Sequence, residues 1–219
     1  MRERVGAPMR GDRAMVGLDW RAIEAAKLVR EPFDHVALNQ VLEPDCASAL
    51  SHEYPAIQSP GSFSLTDAPP GPVLNGLIAD LLSQRFRTQM ERIFEVDLEG
   101  RPAVVTLRGQ CSSRDGRIHT DSKSKILSLL LYLNADWVTG PGQLRLLRNE
   151  SDIDAYAVEI PASLGSLVAF RRTDTSWHGH TPFVGQRRVL QLNYLQSTRA
   201  SLVGVLRHRL SALAKRRAA

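Results

Sequence analysis

His119-Thr120-Asp121 sets an imidazole and a carboxylate two residues apart, and on an extended segment both side chains leave the same face. Together they can grip one metal ion. A second imidazole comes from Ser176-Trp177-His178-Gly179-His180, separated from the first by enough chain for intervening strands to return it to the same mouth. Two histidines and one carboxylate on one side of an ion leave its other positions open, an arrangement suited to iron(II) that must bind a cosubstrate and dioxygen together. His178 and His180 share a side-facing parity, so periodicity leaves both open as the third ligand. Arg187-Arg188 then precedes the strand-like Val189-Leu190-Gln191-Leu192-Asn193-Tyr194. A guanidinium forms a two-pronged hydrogen-bonded pair with a carboxylate, which supplies an anchor for a dicarboxylate cosubstrate. Adjacent strand residues point to opposite faces, so only one of the two arginines can reach the pocket.

These residues need a scaffold, and its texture changes halfway along the chain. Residues 1–16, rich in Arg and Gly, read as a disordered leader, and folding is expected to begin near Leu18. Leu18, Ile23, Ala26 and Val29 recur at helical spacing up to Pro32 and predict a short helix over Leu18–Arg30. A strand over Phe33–Leu38 follows. Glu43-Pro44-Asp45 then opens a helix that ends near Tyr54-Pro55, with proline in an early turn where it costs little. Gln58 to Gly71 reads as a loop long enough to serve as a lid or substrate loop. One helix is expected over Val73–Phe94, burying Leu74, Leu77, Leu81, Phe86, Met90 and Ile93.

After Gly100, short runs of Val, Leu, Ile and Tyr alternate with Gly, Pro and Asp. The expected strands are Ala103–Gly109, Arg117–Thr120, Ile126–Asn134, Gln143–Leu147, Ala157–Ile160, Ser166–Phe170 and Arg188–Leu195. Seven or eight short strands behind a helical layer predict an α+β, mainly β fold: a double-stranded β-helix (jelly roll) with helices packed on one face. An amphipathic C-terminal helix is expected within 200–216. The whole reads as one domain over 17–219, with a helical layer over 17–100 and a jelly-roll core over 101–196.

The chain has 219 residues, 43% hydrophobic, enough to build its own core. Cys46 and Cys111 are far apart and too few to staple it, so both are expected as thiols. No secretion signal or membrane-length apolar run is present, which points to a cytoplasmic protein. The net charge of +5 gathers at the ends, in Arg2, Arg4, Arg10 and Arg13 and in Arg207, Arg209, Lys215, Arg216 and Arg217. Aromatic residues do not interleave with these charges as single-strand stacking requires, so solvated termini are expected over a nucleic-acid partner.

From about Phe33 to Leu195 the sequence resembles the iron(II)/2-oxoglutarate-dependent dioxygenase superfamily, in its prolyl-hydroxylase-like branch. The resemblance is carried by His119-Thr120-Asp121, Leu131-Tyr132-Leu133-Asn134-Ala135-Asp136-Trp137, Gly140-Pro141-Gly142-Gln143-Leu144-Arg145-Leu146, Gly165-Ser166-Leu167-Val168-Ala169-Phe170 and His178 through Tyr194. It implies Fe(II), 2-oxoglutarate and O2 as the working set. It further implies His119, Asp121 and His178 as metal ligands, with Arg187 and the Tyr132 hydroxyl on the distal carboxylate of 2-oxoglutarate. The spacing of His178 to Pro182 favours His178 over His180 by the family pattern; from its apolar surroundings alone, Tyr132 reads as a core aromatic. Pro141 stands where many relatives have a second glycine, which affects turn shape. Halogenating relatives replace the acidic ligand with a small residue, so Asp121 implies hydroxylation. Arg108, Gln110, Arg117, Lys123 and Asn193 are candidate substrate contacts.

The expected substrate is a small molecule or amino acid, with a protein side chain as a further option and no membrane partner. Two competing readings carry different expectations. A nucleic-acid demethylase would use the same chemistry, but the residues after Arg187 do not reproduce its pattern. A cupin-like binding or sensory domain would keep a metal without needing the arginine anchor.

Overall fold

In the computed structural model, residues 17–137 and 140–197 are described; among them four helices and two short strands alternate through the first half, and longer runs of strand follow. The leader expected over 1–16 and the helix expected within 200–216 lie outside the described residues. Helix α1, Trp20–Ala25, starts where Asp19 Oδ1 accepts from the N–H groups of Arg21 and Ala22. It is shorter than the periodicity predicts because Ala26 turns extended, with ψ 137°, and Val29 pairs instead with His35 in strand β1, His35–Leu38. Helix α2, Pro44–Glu53, has its proline in the first turn, where the missing N–H has no helical partner to lose.

The single helix predicted over Val73–Phe94 is two, α3 (Pro72–Leu82) and α4 (Gln84–Phe94). Ser83 is the cause. Its hydroxyl donates to the Asp80 carbonyl at 2.6 Å and accepts from the Phe86 N–H at 3.2 Å, while its backbone is extended. A serine that offers the chain an alternative to the helical ladder ends one helix and caps the next. The bend lets Leu74, Leu77 and Leu81 face the same core as Phe86, Met90 and Phe94.

The remaining strands are β2 (Phe63–Ser64), β3 (Ala103–Cys111), β4 (Lys125–Tyr132), β5 (Leu144–Leu147), β6 (Tyr156–Ile160), β7 (Leu167–Arg171), β8 (His178–Gly179) and β9 (Gly185–Leu195). They form an antiparallel six-stranded sheet in the order β1-β7-β4-β9-β3-β2 and a smaller sheet in the order β6-β5-β8. This is the jelly roll expected from the sequence. The Gln58–Gly71 segment, expected to be a loop long enough to serve as a lid or substrate loop, contributes edge strand β2, pinned by the pairing of Phe63 with Leu107 and Ser64 with Thr106. The strand expected over Arg117–Thr120 is reduced to one bridge between His119 and His178, because turns at Ser112–Asp115 and Ser122–Lys125 close in on both sides.

Side-chain alternation across the large sheet sorts the core into two clusters. Leu127, Leu129 and Leu131 of β4 join Leu190, Leu192 and Tyr194 of β9 against the helices. Tyr132, Val168, Phe170 and Val189 point the other way and meet Leu144, Leu146 and Ile160 of the small sheet. The polar residues Ser128, Arg187 and Asn193 are buried in phase with that second set. Cys46 and Cys111 are buried and not joined in a disulfide. Among the described residues, no helix is long and apolar enough to cross a membrane.

Candidate metal centre and anchor

His119 and His178 face each other across the bridge that replaces the expected strand. Each donates its N–H to the other's carbonyl at 3.0 Å, and their ring centroids are 4.3 Å apart. Their Nδ1 atoms lie 2.8 Å from the Arg117 carbonyl and 2.9 Å from the Ser176 carbonyl. A carbonyl only accepts, so both Nδ1 atoms carry the proton and both Nε2 lone pairs are left for a metal. Asp121 completes the group. One ligand atom from each of the three residues lies within 4.8 Å of the others. This donor set fits iron(II), because two neutral imidazoles and one carboxylate leave further positions open.

The electrostatics keep these candidate donors in the form that can bind a metal. Burial pushes His178 down to about 4; the Asp121 charge opposes that shift and His119 adds to it. Burial alone would raise Asp121, but Lys125, His178 and the hydrogen bonds from Lys125 and Ser128 prevail and bring it to about 2. Lys125 Nζ lies 2.7 Å from Asp121 Oδ1, and Ser128 Oγ donates to Oδ2. Both partners escaped the sequence reading. Ser128 was signalled as the one hydroxyl within Ile126–Leu131, whereas Lys125 is brought close only by the turn at Ser122.

Arg187 lies on the inward face of β9 and is only 5% exposed. Its Nε donates to the Gly142 carbonyl at 2.8 Å and its Nη2 to the Tyr132 hydroxyl at 3.2 Å. Among the described residues, no carboxylate lies within ion-pairing distance of it. A buried guanidinium without a counter-charge is strongly unfavourable, so this one is a ready seat for an anion. Tyr132 is fully buried, both a core aromatic and a partner of Arg187; burial raises its pKa, opposed by the arginine. Gly142, at φ +92°, makes the turn that aims its carbonyl at Arg187, and a Cβ there would come within 3.0 Å of Phe183. Arg188 turns outward, where Nη1 donates to the Ser51 carbonyl.

His180 stands apart from the three-residue group. Its Nδ1 lies 2.8 Å from the Thr181 carbonyl, its Nε2 is 3.8 Å from Cys111 Sγ, and burial, then Arg187, lowers it to about 4. Gly116, at φ +84°, packs on this ring so closely that a Cβ would sit 2.3 Å from Nδ1. Of the candidate substrate contacts, Asn193 is buried with its Oδ1 3.2 Å from Ser128 Oγ, and Arg108 pairs with Asp115 at 3.0 Å. Gln110 of β3 pairs with Gln186 of β9, while Arg117 and Lys123 are exposed. A cavity of about 810 Å³ lies beside Ser51, Trp137 and Arg188 and is lined by none of the three grouped residues or Arg187.

Residues 110–196 match the family model described as the 2OG-Fe(II) oxygenase superfamily. No curated protein matches the sequence. Among solved structures, a prolyl-4-hydroxylase from Pseudomonas putida superposes with a TM-score of 0.52 at 19% identity, over 74% of this chain and 92% of that one. The viral collagen prolyl hydroxylase of Paramecium Bursaria Chlorella virus-1, in its 2OG complex, gives 0.48 at 14% identity, over 74% and 96%. AviO1 from Streptomyces viridochromogenes gives 0.44 at 14% identity, over 82% and 95%. The first of these establishes the shared fold. The superfamily works with Fe(II), 2-oxoglutarate and O2, and the grouped donors and the buried arginine all fall inside the matched segment. By that segment this chain is similar to the 2OG-Fe(II) oxygenase superfamily, and the similarity supports an oxygenase enzyme.

Proposed function

We propose that this oxygenase is a hydroxylase in which His119, Asp121 and His178 hold Fe(II), while Arg187 and Tyr132 receive the distal carboxylate of 2-oxoglutarate. The observation that carries this reading is the buried Arg187, without a carboxylate partner among the described residues, on the same side of the large sheet as Ser128, whose hydroxyl holds Asp121. Bound iron, with 2-oxoglutarate and O2, supplies the oxidising power to hydroxylate an unactivated C–H bond, with succinate and carbon dioxide as the other products.

The chain's own residues bind and orient. Nδ1 hydrogen bonds fix the tautomers and ring planes of both histidines. Ser128 and Tyr132 lie four residues apart on the inward face of β4, about 13 Å at the strand rise, leaving a short dicarboxylate room to lie between them. Phe170, whose ring centroid is 4.7 Å from that of His178, and the buried Val189 keep water from the anchor. The substrate is a small molecule or amino acid, with a protein side chain as the wider option. Residues 17–219 act as one domain in the cytoplasm, in keeping with two buried thiols.

The test is anaerobic addition of Fe(II) and then 2-oxoglutarate to metal-free protein, following the visible charge-transfer band of the chelated complex. Wild type is expected to give the band, His178→Ala to abolish it and His180→Ala to spare it. Arg187→Ala should weaken 2-oxoglutarate binding by about tenfold or more, since hydrogen bonds to charged groups contribute about 1.5–3 kcal/mol. Folded, metal-loaded protein that gives no band would sink the hydroxylase reading and favour a metal-binding domain without turnover.

A further inference from the structure

The Asp121 carboxylate has two close neighbours that a three-ligand site does not require. Lys125 Nζ sits 2.7 Å from Oδ1, with the lysine and aspartate side chains 16% and 11% exposed. Ser128 Oγ donates to Oδ2, and Ser128 is wholly buried, its Oγ also 3.2 Å from Asn193 Oδ1. No helix brings Lys125 and Asp121 together. The chain doubles back at Ser122, where the Lys125 N–H donates to the Ser122 carbonyl at 3.0 Å, and Arg172 Nε fixes the aspartate backbone by donating to its carbonyl at 3.0 Å.

Two consequences follow from this geometry. A carboxylate oxygen has two lone pairs, and here one on each oxygen is already committed to a donor. The carboxylate plane is therefore held, and a metal that takes one oxygen leaves the bond on the other undisturbed, whereas a grip by both oxygens has to use the remaining lone pair of each beside a bound donor. In addition, the ammonium cancels the single negative charge of the donor set. Such a site binds any divalent ion less tightly than its three ligands alone would allow.

We propose that Lys125, assisted by Ser128, is a positioning residue that confines Asp121 to one-oxygen ligation, giving up metal affinity to keep a coordination position open. The proposal rests on the ligand assignment above. It predicts that loss of the lysine charge strengthens metal binding, the opposite of what loss of a merely structural contact would do. At a separation of roughly 6 Å and a water-like dielectric, one unit charge acting on a dication changes affinity by about tenfold.

The experiment uses the full chain, freed of metal and titrated with Co(II), whose visible absorption falls as coordination number rises. Lys125→Met, of similar length and apolar, is expected to bind Co(II) about tenfold more tightly with weaker absorption per metal, and Lys125→Arg to restore wild-type affinity and spectrum. Ser128→Ala should weaken the absorption without the gain in affinity. With Asp121→Ala abolishing binding, a Lys125→Met protein of unchanged or lower affinity and unchanged spectrum overturns the positioning role alone. Wild-type protein that binds no Co(II), or Asp121→Ala protein that binds as tightly as wild type, overturns the ligand assignment and this proposal with it.

Discussion

His119 and His178 each turn Nδ1 toward the carbonyl two residues back, a local bond that every imidazole in an extended segment can make. What differs at the scale of single residues is burial, and it sets a pH response. His178 and His180 fall to about 4 from 6.5, chiefly because burial disfavours their charged forms. The unfolded chain therefore takes up protons near 6.5 that the folded protein refuses until about 4, and stability is lost as pH falls through that window. Asp121, at about 2 against 3.8, continues the loss below it, since its paired carboxylate stabilises the fold above 3.8 and ceases to do so through about 2. Thermal melts of chelator-treated protein should show Tm falling steadily from pH 7 to pH 4, with part of the slope removed in His180→Gln. A flat profile over that range would contradict the burial of both rings.

At the scale of elements, Ser83 decides whether the helical layer is one rod or two. A single helix over the same residues would carry the stripe of α4 away from the core shared by Leu74 and Leu81. Ser83→Ala removes both the cap on Phe86 N–H and the bond to Asp80, and should lower stability by about 1 kcal/mol in urea unfolding. Metal binding should be unchanged, because neither helix carries one of the proposed ligands. The periodicity of residues 73–94 was legible, and the break was not, since both stripes fit a continuous helix in projection. Likewise β8, two residues long, and the bridge at His119 are too short to leave a period-2 signature.

The whole molecule places the donors at the meeting of its two sheets: His178 comes from the small sheet, paired with Leu146 of β5, while Asp121 is held through Ser128 to the large one. A metal that joins elements so far apart in sequence stabilises the assembly, because it binds the folded state and not the separated ligands. At one hundred times its dissociation constant a ligand contributes about 2.7 kcal/mol. For a domain of this size Fe(II) under argon should therefore raise Tm by roughly 5–10 °C, and a chelator should reverse the rise. His178→Ala should show neither effect.

The sequence by itself determined which residue types could bind a metal and a dicarboxylate, because His-x-Asp spacing and strand alternation are local properties of the chain. It also determined a helix-rich first half ahead of a strand-rich second half, and the opposed directions of Arg187 and Arg188, since adjacent strand residues cannot share a face. It left His178 and His180 equivalent, as their parity is the same. Tertiary structure separated them: His178 meets His119 across a backbone bridge, whereas His180 packs on Gly116 and Cys111. Only the folded chain put Lys125 and Ser128 on the Asp121 carboxylate and left Arg187 buried without a counter-charge among the described residues. Those contacts depend on a turn and on cross-sheet packing, and neither leaves a mark in the spacing of residues along the chain.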